Sequence, residues 1–322
     1  MTIGARLEVM PIVAAALRDG TPVVALESTL ISHGLPYPAN LEVAIAAGDA
    51  IRAAGGVPAT IAIHDGKVLV GLDDRELLAL ATAAQGTVLK AARPNLAEAL
   101  DRSGWAATTV SATMIAAHAA GIRVFATGGI GGVHRGALGS ATGEPGEPPT
   151  APTLDISSDL EELARTPVVV VCAGPKAILD VGPTLEYLET RGVPVVTLGQ
   201  EDLPGFFSRS SGLRSPSSVA DEAQLARRVA LHLGLRLGSG ILACAPVPEA
   251  DALDPDVARA AVQAALAGAE AAGIRGPDLT PWLLVRVGEL TEGESIRANT
   301  ALIVNNAGVA GRLARSLAPA AK

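Results

Sequence analysis

Three residues of this 322-residue chain combine a reactive side chain with a setting that suits chemistry on a small molecule: Lys176, Glu27 and Asp155. Lys176 ends the segment Val168-Val169-Val170-Val171-Cys172-Ala173-Gly174-Pro175-Lys176, an apolar run of strand length broken by a glycine and a proline. Proline suits the first position of a helix, which places Lys176 in a first helical turn. There the positive end of the helix dipole disfavours a cation, and with partial burial that field frees an amine to act as a nucleophile. A solvated lysine pairing with Asp180, four residues on, accounts for the segment equally well. Glu27 directly follows the strand-like Pro22–Leu26, a poor place for a charge unless it is paired or used. Burial there suits general acid work, although a carboxylate capping a nearby loop or helix is the plain alternative. His33, in the same segment, reads as a site residue or, more simply, as a hydrogen-bonded structural histidine.

Asp155-Ile156-Ser157-Ser158-Asp159 precedes a helix, with Ser158 and Glu161 spaced as a capping box. Asp155 and Ser157 are then left ahead of the helix to face a ligand. One carboxylate with several waters suits a hard divalent ion such as Mg²⁺ or Mn²⁺ rather than zinc, but a single acidic pair specifies no metal by itself. The glycine-rich stretch Thr127–Gly136, which contains His134, can aim backbone N–H groups at an anion or simply make a tight turn. It matches neither the dinucleotide-binding nor the Walker pattern. Lys90, at the end of the strand-like Thr87–Lys90, and the segment Thr108-Thr109-Val110-Ser111 read as phosphate contacts, or as a surface lysine and a helix N-cap.

The elements that must position these residues alternate. Strand-like runs at 22–26, 60–64, 67–71, 87–90, 107–110, 123–127, 168–172, 193–198 and 241–245 are mostly separated by alanine-rich helical patterns such as Leu41–Ala54, Arg75–Ala84 and Ser111–Ala120. That pattern predicts an α/β fold, a mostly parallel sheet with helices on both faces. Asp65-Gly66 between two apolar runs predicts a hairpin, so the sheet is expected to be mixed. Ala137–Thr153, rich in glycine and proline, is expected to be a flexible loop, and the serine-rich Phe206–Ser218 a second loop or flap. Neither reads as a linker, so one domain over residues 1–322 is expected.

Composition narrows the function classes. A net charge of −8 and only 7 aromatic residues (3 Phe, 2 Trp, 2 Tyr) argue against a nucleic-acid partner. Cys172 and Cys244 lack metal-ligand spacing and read as buried thiols in a reducing compartment. No signal peptide and no apolar run of about twenty residues is apparent, so a soluble cytoplasmic protein is expected.

Taken together, the segments 25–44 (ALESTLISHGLPYPANLEVA), 56–72 (GVPATIAIHDGKVLVGL), 108–114 (TTVSATM), 126–136 (ATGGIGGVHRG), 155–180 (DISSDLEELARTPVVVVCAGPKAILD), 184–199 (TLEYLETRGVPVVTLG) and 299–307 (NTALIVNNA) resemble the pseudouridine-5′-phosphate glycosidase, or indigoidine synthase A-like, family. The resemblance covers nearly the whole chain in order. It implies a three-layer α/β/α fold, a homotrimer, and a Mn²⁺-dependent enzyme that reversibly splits pseudouridine 5′-phosphate into uracil and ribose 5-phosphate. By motif position it makes Lys176 the covalent nucleophile, Glu27 the proton donor and Asp155 the metal ligand. It also implies substrate contacts from Lys90, Val110, Ser157, Ser158 and Asp159, with Asn299 as a further site residue. Thr108, Thr109 and His134 complete the candidate set from the polar segments themselves. The chain departs from the family pattern in its longer 137–153 segment, in Ser210 where an aspartate is usual, and in Val304 where a lysine is usual. A Schiff-base lyase or glycosidase for another phosphorylated sugar or C-glycoside, and a non-catalytic sugar-phosphate binder, are the competing readings.

Overall fold

Alternate side chains of the central strands point to opposite faces, and both faces are apolar. Val169 and Val171 join one buried cluster while Val168, Val170 and Cys172 join the other. A strand buried on both sides must be covered by helices on both sides, and that requirement produces the three layers. The structure, a computed structural model, describes residues 2–84, 86–139, 151–274 and 279–318.

The strands are β1 (Leu7–Val9), β2 (Val23–Leu26), β3 (Val57–His64), β4 (Lys67–Val70), β5 (Leu89–Ala91), β6 (Trp105–Thr108), β7 (Val124–Ala126), β8 (Val133–His134), β9 (Val169–Cys172), β10 (Leu179–Asp180), β11 (Val195–Leu198), β12 (Ser218–Val219) and β13 (Ile241–Cys244). Among the described residues the main sheet runs β1-β4-β3-β2-β7-β9-β13-β11-β12, with β6 alongside the far half of β3 and β5 beyond it. Most neighbours are parallel; β3–β4 and β3–β6 are antiparallel, so the sheet is mixed as expected. The β3–β4 turn is the predicted Asp65-Gly66 hairpin, with both residues at positive φ (47° and 76°).

One helical layer holds Ala39–Ala53, Glu222–Gly234, Pro255–Ala271, Leu279–Leu290 and Glu294–Leu317; the other holds Pro11–Asp19, Val110–Ala119, Ser158–Leu163 and Val181–Thr190. The Glu294–Leu317 helix lies against the Ala39–Ala53 helix closely enough that a Cβ on Gly311 would sit 2.7 Å from Ala54 Cβ. Its Leu302, Ala307 and Ala310 are fully buried. Burial of each large apolar side chain contributes roughly 1.5–3 kcal/mol, and this layer is aliphatic almost throughout. Among the described residues no helix is long and apolar enough to cross a membrane.

One of the two loop expectations changes. Residues 140–150 of the segment expected to be flexible lie outside the described residues, but its ends are tied together by a hydrogen bond from Leu154 N to Ala137 O (2.9 Å). The serine-rich stretch is a packed loop rather than a free flap. Phe206, Phe207 and Ser208 are buried, Ser211 N donates to Leu203 O (2.8 Å), and Arg209 reaches Val247 O (3.0 Å). Ser210 donates to the Asp202 carboxylate (2.8 Å), so a carboxylate enters this loop from a neighbouring position.

Candidate active site

At the carboxyl ends of β2, β7 and β9 the chains leave the sheet, and a cavity of about 280 Å³ opens there. Open α/β sheets place their ligand sites at this edge. Glu27 is the first residue after β2 and is only 6% exposed. Its two oxygens are held by two hydroxyls: Thr29 donates to Oε2 and Thr127, just past β7, donates to Oε1. This carboxylate therefore faces the cavity with both oxygens oriented, and it does not cap a helix.

Lys176 also reaches the cavity, but its setting differs from the one expected. Gly174, at φ 87°, turns the chain after β9, and Pro175 pairs as a parallel bridge with Ile130 instead of opening a helix. Lys176 N donates to Ile130 O (3.1 Å) and Lys176 O accepts from Leu179 N (2.9 Å). The next helix begins only at Val181. The helix-dipole argument for Lys176 therefore does not hold. Its backbone is fixed by tertiary pairing, and the charges that bear on it are those of other side chains.

Lys90, on β5, lines the same cavity. Burial pushes the Lys90 ammonium below its ordinary value and repulsion from Lys176 lowers it further, while Glu27 and Asp159 pull it back. Lys90 is thus a partly buried amine sharing a cavity with a second lysine, not a surface residue. His33 lines the same cavity; burial, then Lys90, pushes its imidazole down, and its Nδ1 lies 2.7 Å from Ser32 Oγ.

The glycine-rich turn does cradle an anion, and the anion is the protein's own. Asp159, 6% exposed, accepts from Ser111 N at Oδ1 and from Gly131 N at Oδ2, both at 2.9 Å. A Cβ on Gly131 would come within 2.2 Å of Ser157 Oγ, so this approach requires glycine. The helix cap sits one residue earlier than the capping box predicted: Ser157 is the N-cap and accepts from Asp159 N (3.2 Å). Glu161, freed from that role, pairs with Tyr187, Arg165 and Arg191. Behind the site, the buried Glu162 pairs with Arg93 and accepts from Thr166, tying the Lys90 segment to the Ser158 helix.

Of the sequence candidates, Glu27, Lys90, Thr109, Val110, His134, Ser157, Ser158, Asp159, Lys176 and Asn299 all line this cavity. Two do not. Thr108 is buried behind it, donating to Ile61 O (2.6 Å) and accepting from Thr113 (2.9 Å); it braces the β6 end and has no surface for a ligand. Asp155 is an exposed residue at the rim, with its Oδ2 3.8 Å from His134 Nδ1. Among the described residues no three His, Cys, Asp or Glu side chains gather as a metal cage. A lone, solvent-facing carboxylate fits a hard cation that keeps most of its waters, and it does not fit a dehydrated zinc site. Sequence reasoning missed Thr29 and Thr127, the orienting partners of Glu27, and the aromatic wall Phe206. That residue packs so closely on Gly129 that a Cβ there would sit 2.6 Å from the ring.

The chain is similar to known proteins along nearly its whole length. The family model described as "Indigoidine synthase A like protein" matches residues 12–316. The chain belongs to this family. Within it, a protein of Solibacter usitatus named pseudouridine-5′-phosphate glycosidase is 50% identical over 97% of this chain and 99% of its own length. A protein of the same name from Paracoccus denitrificans is 50% identical over 96% of this chain and 97% of its own. Among solved structures, the prealnumycin C-glycosynthase AlnA, in complex with ribulose 5-phosphate, is 36% identical with a TM-score of 0.85 and covers 97% of this chain and 96% of its own. The indigoidine synthase A-like family fold is therefore shared along essentially the whole chain.

Proposed function

We propose that the chain is a pseudouridine-5′-phosphate glycosidase, cleaving the C–C glycosidic bond reversibly to give uracil and ribose 5-phosphate. The observation that carries the reading is the meeting of Glu27, Lys90 and Lys176 in one cavity, in a chain half identical to proteins of that name.

A C–C glycoside has no leaving oxygen to protonate, so a two-carboxylate scheme does not suffice. Glu27 instead gives a proton to the ribose ring oxygen, which opens the ring, and the Lys176 amine adds at C1′ and passes a proton back to the Glu27 carboxylate. Glu27 then gives that proton to the uracil carbon, and the C1′–C bond breaks. Uracil leaves, and the sugar remains on Lys176 as a protonated Schiff base. Water hydrolyses it to ribose 5-phosphate and returns the amine. Lys90 holds the negative part of the substrate and Ser157, Ser158, Thr109 and His134 supply hydrogen bonds around it. Asp159 keeps that wall in place through Ser111 and Gly131. Asp155 is the residue that would hold Mn²⁺, or Mg²⁺ in its place, and a hydrated cation there would order waters and offset substrate charge.

The test is release of uracil from pseudouridine 5′-phosphate by the purified protein with Mn²⁺, followed by chromatography. No release, with the protein folded, sinks the reading. A second reading has its own support in the ribulose 5-phosphate held by AlnA: a Schiff-base lyase or glycosidase for another sugar phosphate or C-glycoside. Turnover of such a compound in preference to pseudouridine 5′-phosphate would favour it. The homotrimer belongs to the same proposal and is read by light scattering of the eluted protein.

A further inference from the structure

Asn306 lies outside the cavity yet is fully buried, on the Glu294–Leu317 helix. Asn299, Ile303 and Asn306 are spaced by four and three residues and so share one helix face. The first two line the cavity. Asn306 passes beneath it, and its Nδ2 donates to Thr127 O (2.9 Å) and Gly128 O (3.3 Å). Its Oδ1 has no hydrogen-bond partner among the described residues.

Packing alone does not explain an amide here. A leucine of the same branched shape would avoid the unmatched Oδ1, but it would leave the Thr127 carbonyl without the donor it has here. Gly128 O, moreover, already accepts from Ala173 N (2.9 Å), so this carbonyl has a backbone partner without Asn306. What the amide does fix is Thr127, the residue whose hydroxyl donates to Glu27. Helix and turn touch directly as well: a Cβ on Gly128 would lie 3.1 Å from Ile303 Cγ1. A displacement of the helix is therefore passed to the turn.

Resting on the glycosidase reading, we infer that Asn306 is a positioning residue for Glu27. It holds the Thr127 backbone so that the Thr127 hydroxyl orients one carboxylate oxygen, while Thr29 orients the other. The C-terminal helix thereby sets the aim of an acid 279 residues earlier in the chain.

A double-mutant cycle on the full chain with pseudouridine 5′-phosphate separates this role from a merely structural one. Asn306→Ala is expected to lower kcat about tenfold with KM changed less than about twofold, the signature of a misaimed group rather than lost binding. Thr127→Val should lower kcat at least as far, and Thr127→Ser, which keeps the hydroxyl, should restore most of it. The Asn306→Ala/Thr127→Val double variant should be no slower than Thr127→Val alone, because both act through one hydrogen bond. Should Asn306→Ala fail to fold, Asn306→Ser, which retains a donor, takes its place in the cycle with the same non-additivity expected. Effects that multiply, or wild-type kcat in a folded Asn306 variant, overturn the inference. Wild-type protein inactive on this substrate would instead refute the glycosidase reading itself.

Discussion

The Glu27 corner and the Asp155 rim each carry one carboxylate of the proposed chemistry, and the fold treats them in opposite ways. Glu27 is nearly inaccessible, sits at the end of a central strand, and has a hydroxyl on each oxygen. Asp155 is exposed and has one histidine at 3.8 Å. A group that must deliver a proton to one atom gains from being fixed before substrate arrives, since misplacement is costly in rate. A group that holds a hydrated cation needs charge and open space, which the rim provides. The contrast assigns geometric demand to the corner and electrostatic demand to the rim.

In the proposed chemistry Lys176 depends on both regions, and its loss should erase the difference between them. Lys176→Ala is expected to fold, to form no covalent sugar adduct and to lose at least about 10³-fold in turnover, as removal of a nucleophile does. Circular dichroism alongside the assay checks it; an unfolded variant would make the residue structural. Glu27→Gln keeps the shape and removes the acid, and should cost about 10²–10⁴-fold in kcat with Mn²⁺ dependence unchanged. A shift in metal dependence there would mean that the two regions are not separate.

Asp155→Asn should show the reverse pattern. It should raise the Mn²⁺ concentration for half-maximal activity while leaving stability within about 0.5 kcal/mol, as expected at an exposed position. Urea unfolding and a metal titration read the two effects, and unchanged metal dependence removes Asp155 as the ligand. The smallest effect expected is on stability at Lys90. Burial and Lys176 depress its folded value below 10.5, so the unfolded chain binds this proton more readily than the fold does. That penalty is present at neutral pH and fades as pH rises toward 10.5. Lys90→Met should therefore raise Tm at pH 7, gain less at pH 10, and lower activity. A lower Tm at pH 7 would contradict the burial account.

The sequence made the corner more legible than its supports. Glu27 and Lys176 stood out because each interrupts an apolar run, and the alternating pattern was enough to predict a mostly parallel sheet between two helical layers. The placement of Lys176 was misread because Pro175, a good helix opener locally, pairs with Ile130 across the sheet edge, a contact no local pattern encodes. Asp159 lines the cavity as expected, but its backbone partners Ser111 and Gly131, 48 and 28 residues away, were not legible locally. Thr29, Thr127 and Asn306 lie inside the matching segments, yet nothing local marks them out, because threonine in a turn and asparagine on a helix are ordinary. Only the fold brings their polar atoms to Glu27 and to the turn beneath it.

The central claim is that Lys176 is the amine that takes the sugar. Borohydride reduction of the protein with ribose 5-phosphate, followed by peptide mass spectrometry, tests it most directly. The account predicts a single reduced sugar phosphate on the peptide containing Lys176, absent from Lys176→Ala. An adduct on Lys90 instead, or no adduct from a preparation that still releases uracil, would contradict it.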